Sequence, residues 1–80
     1  MKINIKYFGQ IADVLGIDQE VIDLGEETTF LFDIKLMTVS RKPELNSINF
    51  KLSVNLELTE ENLLLKNGDE VSFLPPFSGG

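Results

Sequence analysis

The stretch Thr28-Thr29-Phe30-Leu31-Phe32-Asp33-Ile34-Lys35-Leu36-Met37-Thr38-Val39-Ser40-Arg41-Lys42 decides which fold this chain can adopt. Two periodicities compete in it. Phe30, Phe32, Ile34 and Leu36 alternate, as on a half-buried strand, while Phe30, Ile34 and Met37 also fit a helical stripe. The ends favour a helix. Thr28 or Thr29 can cap the first turn, and Glu26 and Glu27 lie near the positive end of the dipole. Arg41 and Lys42 suit the other end, and Pro43 follows as a stop. The stretch is read as a helix on its end signals, against the strand-like middle.

Working outward, Ile3, Ile5 and Tyr7 alternate with Lys2, Asn4 and Lys6, the pattern of a strand with one buried face. Phe8 and Gly9 end it. Gln10 to Leu15 is a short helical segment, with Gly16 where a C-cap belongs. Glu20 to Leu24 reads as a second strand, antiparallel to the first and closed by Gly25. Downstream, Phe50, Leu52, Val54, Leu56 and Leu58 alternate with polar residues and predict one long strand. Leu63 to Leu65 is a short apolar run. Asn67-Gly68-Asp69 marks a turn, because Asn and Gly tolerate positive φ. Val71 to Leu74 is a last strand, ended by Pro75 and Pro76. Strands, one helix, then strands make a two-layer α+β domain.

Composition narrows the function. Eighty residues and 9.0 kDa make one small domain, with roughly 4,800 Å² of folded surface expected for this mass. Seven basic residues stand against thirteen acidic ones, a net charge of −6. The cations are scattered, which argues against nucleic acid and against an anionic membrane surface. A basic protein partner is favoured. The chain has no Cys and no His. A disulfide framework, a thiolate nucleophile and a Ser/His/Asp triad are therefore excluded, and a tetrahedral zinc site without Cys or His is not expected. No apolar run is long enough to cross a membrane, and Met1-Lys2-Ile3-Asn4 opens no signal peptide, so a cytoplasmic protein is expected.

Two sets of residues could carry chemistry. The carboxylates Asp18, Glu20, Asp23, Glu26, Glu27, Glu57, Glu60 and Glu61 match no calcium-loop spacing and read as a solvated acidic surface, open to a basic partner. Phe8, Phe30, Phe32, Phe50 and Phe73 lie in apolar patterns and read as packing residues. Phe77 lies beyond the last strand and two prolines, where a partner would cover it. The tail Pro75-Pro76-Phe77-Ser78-Gly79-Gly80 is the most distinctive motif. Paired prolines favour an extended path of roughly 15–20 Å. Two terminal glycines can thread a narrow channel and present the end carboxylate to an enzyme.

These features resemble the ubiquitin-like sulfur carriers of the ThiS/MoaD family, and within it the small subunits of molybdopterin synthase. Tyr7-Phe8-Gly9-Gln10, the helix ending at Leu15-Gly16, Pro43-Glu44-Leu45, Val54-Asn55 and Leu65-Lys66-Asn67-Gly68-Asp69-Glu70-Val71 all carry the likeness. The tail Pro75 to Gly80 is its most specific part. Gly9, Ala12 and Asp13 stand where family members often have Ala and then Arg-Glu.

The resemblance implies a ubiquitin-like β-grasp domain over residues 1–74, a mixed four- to five-stranded sheet with one main helix on one face. Residues 75–80 form an extended tail. It also implies a mechanism. A ubiquitin-activating-like adenylyltransferase uses ATP to adenylate the Gly80 carboxylate, which becomes a thiocarboxylate. The arm Pro75, Pro76, Phe77, Ser78, Gly79 and Gly80 enters the large, catalytic subunit of molybdopterin synthase and gives sulfur to a cyclic pyranopterin phosphate. Phe8, Phe73 and Leu74 are the expected partner contacts. The chain itself would hold no cofactor and no metal, and would not be catalytic alone. Sulfur carriage for thiazole or tRNA thiolation, and a protein-modifier or interaction role, are the alternatives.

Overall fold

Ile3, Ile5 and Tyr7 are enclosed, and the polar residues between them face outward, so the first alternating segment is a strand with one buried face. A computed structural model describes residues 1–76. Along them run β1 (Lys2–Tyr7), α1 (Gly9–Leu15), β2 (Gln19–Asp23), α2 (Leu31–Arg41), a 3-10 turn (Pro43–Ser47), β3 (Lys51–Val54), β4 (Glu57–Thr59) and β5 (Glu70–Leu74). The expected sites Phe77, Ser78, Gly79 and Gly80 lie outside the described residues.

The strands form one mixed sheet in the order β2-β1-β5-β3-β4. β1 pairs antiparallel with β2 and parallel with β5, and β3 pairs antiparallel with both β5 and β4. The last strand thus lies in the middle of the sheet. With α2 across one face, this is the β-grasp arrangement.

The competing periodicities of the central stretch resolve as a regular helix. Leu31, Ile34 and Thr38 are buried at helical spacing, and Phe32 and Leu36 remain exposed. The cap is Phe30 rather than Thr28 or Thr29, because the Asp33 carboxylate accepts the Phe30 N–H at 2.8 Å. Thr29 instead is buried, and its C=O accepts the Leu65 N–H. Pro43 follows the helix, as expected, and opens the 3-10 turn. Leu45 from that turn and Ile11 from α1 complete the core with Leu31, Ile34, Ile3, Ile5, Leu52, Val71 and Phe73. Each such side chain contributes about 1.5–3 kcal/mol on burial.

The expected long strand over Phe50–Leu58 is a correction. The chain turns back at Asn55-Leu56, whose φ values are +50° and +72°, and Val54 pairs with Glu57. Two left-handed central residues make a hairpin turn of the primed type, whose twist suits antiparallel strands. Leu56 sits at its tip, 84% exposed, and Leu58 is exposed as well. The alternation continued through the turn by coincidence of residue types, and only Asn55 hinted at the reversal.

Candidate functional site

The site is the end of β5, where the chain leaves the sheet. β5 is hydrogen-bonded on both edges, by β1 and by β3, so its final residues have little freedom. Lys51 pairs with Leu74 on one side, and the Phe8 N–H donates to the Phe73 carbonyl at 3.2 Å on the other. Below this exit lies a row of aromatic rings. Phe73 packs between Tyr7, at 5.4 Å, and Phe50, at 5.3 Å between centroids.

Tyr7 is tied down in turn. Its hydroxyl donates to Glu20 of β2 and accepts from Arg41 Nη2 at 3.1 Å, at the end of α2. Arg41 also grips Glu20 with two N–H donors, at 3.3 and 2.5 Å. The hydrogen bond from Arg41 holds the Glu20 carboxyl below the usual glutamate range. Burial, reinforced by the hydrogen bond to Glu20, pushes the Tyr7 phenol up to about 12. This trio links the edge strand, the first strand and the main helix under the point of exit.

Pro75 is aimed by a glycine. Gly9 has φ +54°, a left-handed conformation that disfavours side chains, and a Cβ built there would lie 3.1 Å from Pro75 Cγ. Backbone and proline ring therefore pack directly, and the arm starts from a fixed point. Gly9 was legible in the sequence as a strand end. Its contact with a residue at the other end of the chain left no local signal.

Among the expected contacts, Phe8 is 43% exposed and Leu74 is half-buried. Both follow core residues in the strand alternation, so they belong to the open face of the sheet. Lys6, Ser72, Ser53 and Leu58 follow on that side in one register row, with Ser72 and Ser53 themselves buried, and Lys6 pairs with Glu70 at 3.1 Å. Phe73 is a correction: its side chain is fully buried between Tyr7 and Phe50 and offers no surface to a partner. It supports the exit from below. Pro75 is half-buried and Pro76 exposed.

Among the described residues no group of three or more carboxylates could hold a metal ion. A groove of about 390 Å³ is lined by Asn4, Ile5, Lys6, Gln19, Glu20, Val21 and Glu70, and the Lys6–Glu70 ion pair lies within it. No described helix is long and apolar enough to cross a membrane. The geometry suits a rigid mount for the tail.

Comparison with known proteins agrees with this geometry. A model described as the ThiS family matches residues 5–80 and so extends through the tail. The chain is 30% identical to the molybdopterin synthase sulfur carrier subunit of Chlamydomonas reinhardtii, over the whole of both chains. It is 32% identical to the molybdopterin synthase sulfur carrier subunit of Homo sapiens, over 99% of this chain and 94% of that one. Among solved structures, SAMP1 from Haloferax volcanii matches with a TM-score of 0.79 at 23% identity, over the whole of both chains. A chain in the complex of subunits 1 and 2 of the molybdopterin-converting factor from Helicobacter pylori matches with a TM-score of 0.71 at 25% identity, again over both whole chains.

Proposed function

The chain belongs to the ThiS family, and from that premise we propose that it is the sulfur carrier subunit of a molybdopterin synthase. One observation carries the reading. The central strand of the sheet, fixed along both edges and packed on Gly9 through Pro75, leads directly into the sequence Phe77-Ser78-Gly79-Gly80. Likeness over full length to two sulfur carrier subunits supports the same role.

In this reading the chemistry takes place on the Gly80 carboxylate. A cytoplasmic, ubiquitin-activating-like enzyme spends ATP to form an acyl adenylate and releases pyrophosphate. Adenylation makes the carboxylate electrophilic, since AMP is a good leaving group. A donor at the oxidation level of sulfide displaces AMP and leaves a thiocarboxylate. The arm then enters the large subunit and passes its sulfur to a cyclic pyranopterin phosphate, and water returns the terminus to a carboxylate. The Helicobacter pylori structure is a complex of subunits 1 and 2, which supports a large subunit as partner. A chain of net charge −6 repels a phosphate, so the substrate's phosphate belongs on that partner.

Gly79→Val tests the arm. A branched side chain beside the terminus should leave folding unchanged and abolish sulfur delivery in a mixture with the large subunit and the pterin substrate. Undiminished delivery would remove the narrow-channel argument.

A further inference from the structure

One cluster of charged and hydroxyl groups takes no part in the chemistry proposed for the tail. Glu20 of β2, Arg41 of α2 and the Tyr7 hydroxyl of β1 meet beneath the exit of β5. Arg41 Nη2 lies 3.1 Å from the hydroxyl and 2.5 Å from Glu20 Oε2, and Nη1 lies 3.3 Å from Oε1. One planar guanidinium thus holds two partners at fixed angles, which a single ammonium group does not do. Thr38, one turn earlier on α2, is fully buried, and its hydroxyl donates to the Ile34 carbonyl, so the turn that carries Arg41 is anchored in the core.

Stability alone is a poor reason for this cluster. The side chains of Arg41 and Glu20 are 44% and 22% exposed, and an ion pair so open to water contributes little. What a forked donor adds is direction. That direction passes along the end of β1. Tyr7 is its last residue, pairs with Phe73, and packs its ring on Phe73 at 5.4 Å. The next N–H, of Phe8, donates to the Phe73 carbonyl at 3.2 Å. The residue after that is Gly9, the seat of Pro75. The register of β2 on β1 ends at Lys6 and Gln19, so the Tyr7 hydroxyl extends the hold of β2 toward this segment.

We propose that Arg41 and Glu20 are positioning residues for sulfur transfer. Through the Tyr7 hydroxyl they hold Tyr7-Phe8-Gly9 against the end of β5 and so aim the tail. This inference rests on the sulfur-carrier reading.

Tyr7→Phe keeps the ring on Phe73 and removes the tether, and two readouts separate aim from stability. The first is amide exchange in the full chain without partners. The N–H groups of Phe8 and Asn4 close the two ends of the β1–β5 ladder, on the carbonyls of Phe73 and Asp69. In Tyr7→Phe and in Arg41→Gln, exchange at Phe8 should rise about tenfold, the weight of one hydrogen bond, while exchange at Asn4 stays unchanged. The second is single-turnover sulfur transfer from a preloaded carrier at saturating large subunit. Each variant should be about three- to tenfold slower. The double variant Tyr7→Phe/Arg41→Gln should be no slower than the slower single one, because both break one linkage. Ile3→Val, a core substitution at the far end of β1, should lower stability and leave transfer unchanged. Full transfer by Tyr7→Phe, an equal fall in Ile3→Val, or exchange rising equally at Phe8 and Asn4 would overturn the proposal. The exchange comparison needs no sulfur. A chain that takes up no sulfur, while Phe8 alone responds, would overturn the carrier reading and support the tether.

Discussion

Replacing Gly9 by Ala places a methyl group 3.1 Å from Pro75 Cγ, at a backbone φ of +54°. The left-handed conformation costs an L-residue about 1–2 kcal/mol. Stiffening of the unfolded chain offsets about 0.4–1 kcal/mol of that. The net loss is about 1 kcal/mol, or about 4–8 °C in Tm for a domain of this size. The close contact adds a second effect, because Pro75 must move by a few tenths of an ångström. That shift displaces the point at which the tail leaves the sheet. A misplacement near 1 Å at a reacting group can cost about 100-fold in rate. For a shift of a few tenths of an ångström, sulfur transfer by Gly9→Ala should therefore fall by up to about tenfold.

A second substitution separates aim from strain. Pro75→Ala removes Cγ, so the double variant Gly9→Ala/Pro75→Ala should transfer sulfur as fast as Pro75→Ala alone while keeping the loss of stability from φ. Urea unfolding would measure stability, and single-turnover transfer from a preloaded carrier would measure aim. Undiminished transfer by Gly9→Ala would refute the reasoning. So would a double variant no faster than Gly9→Ala.

Other substitutions follow from the same geometry. Leu56→Gly relieves a left-handed leucine at the tip of the β3–β4 hairpin, and it should raise stability by about 0.5–1 kcal/mol in urea unfolding. Phe73→Leu should cost about 1 kcal/mol and leave affinity for the large subunit unchanged, because Phe73 is packing and not surface; reduced affinity at full stability would argue otherwise. The Glu20 carboxyl is held low, so its contribution to stability is present above the usual glutamate range and is lost as pH falls through the lowered value. Glu20→Gln should flatten that acid limb in pH-dependent melting. Tyr7 runs the other way: its phenol is raised from 10.0 to about 12, so its contribution is full below pH 10 and is lost between those values. Tyr7→Phe should remove that alkaline loss.

The strands and turns with strong local signals were legible from residues alone. Ile3, Ile5 and Tyr7 alternate because one face of β1 is buried, and Gly16 and Gly68 take the positive φ that a C-cap and a turn require. The main helix was legible only at its ends. Phe32 and Leu36 lie on its solvent side, so its apolar pattern mixes core positions with exposed ones. The hairpin at Asn55-Leu56 was hidden because leucine is an unusual residue for a left-handed turn position. Phe73 as a contact was a misreading of a different kind. Its neighbours Tyr7 and Phe50 enclose it from distant parts of the sequence, and no local pattern reports that. The same holds for Gly9 against Pro75. The tail was legible as a motif, and its mount was not.

The central claim is that Gly80 carries sulfur, and intact mass tests it most directly. The chain would be weighed before and after incubation with an activating enzyme, ATP and a sulfur source, beside a variant lacking Gly80. The account predicts a gain equal to replacing one oxygen by sulfur, absent from the shortened variant. An unchanged mass with an enzyme proven active on another carrier, or higher-mass conjugates in place of the thiocarboxylate, would contradict it.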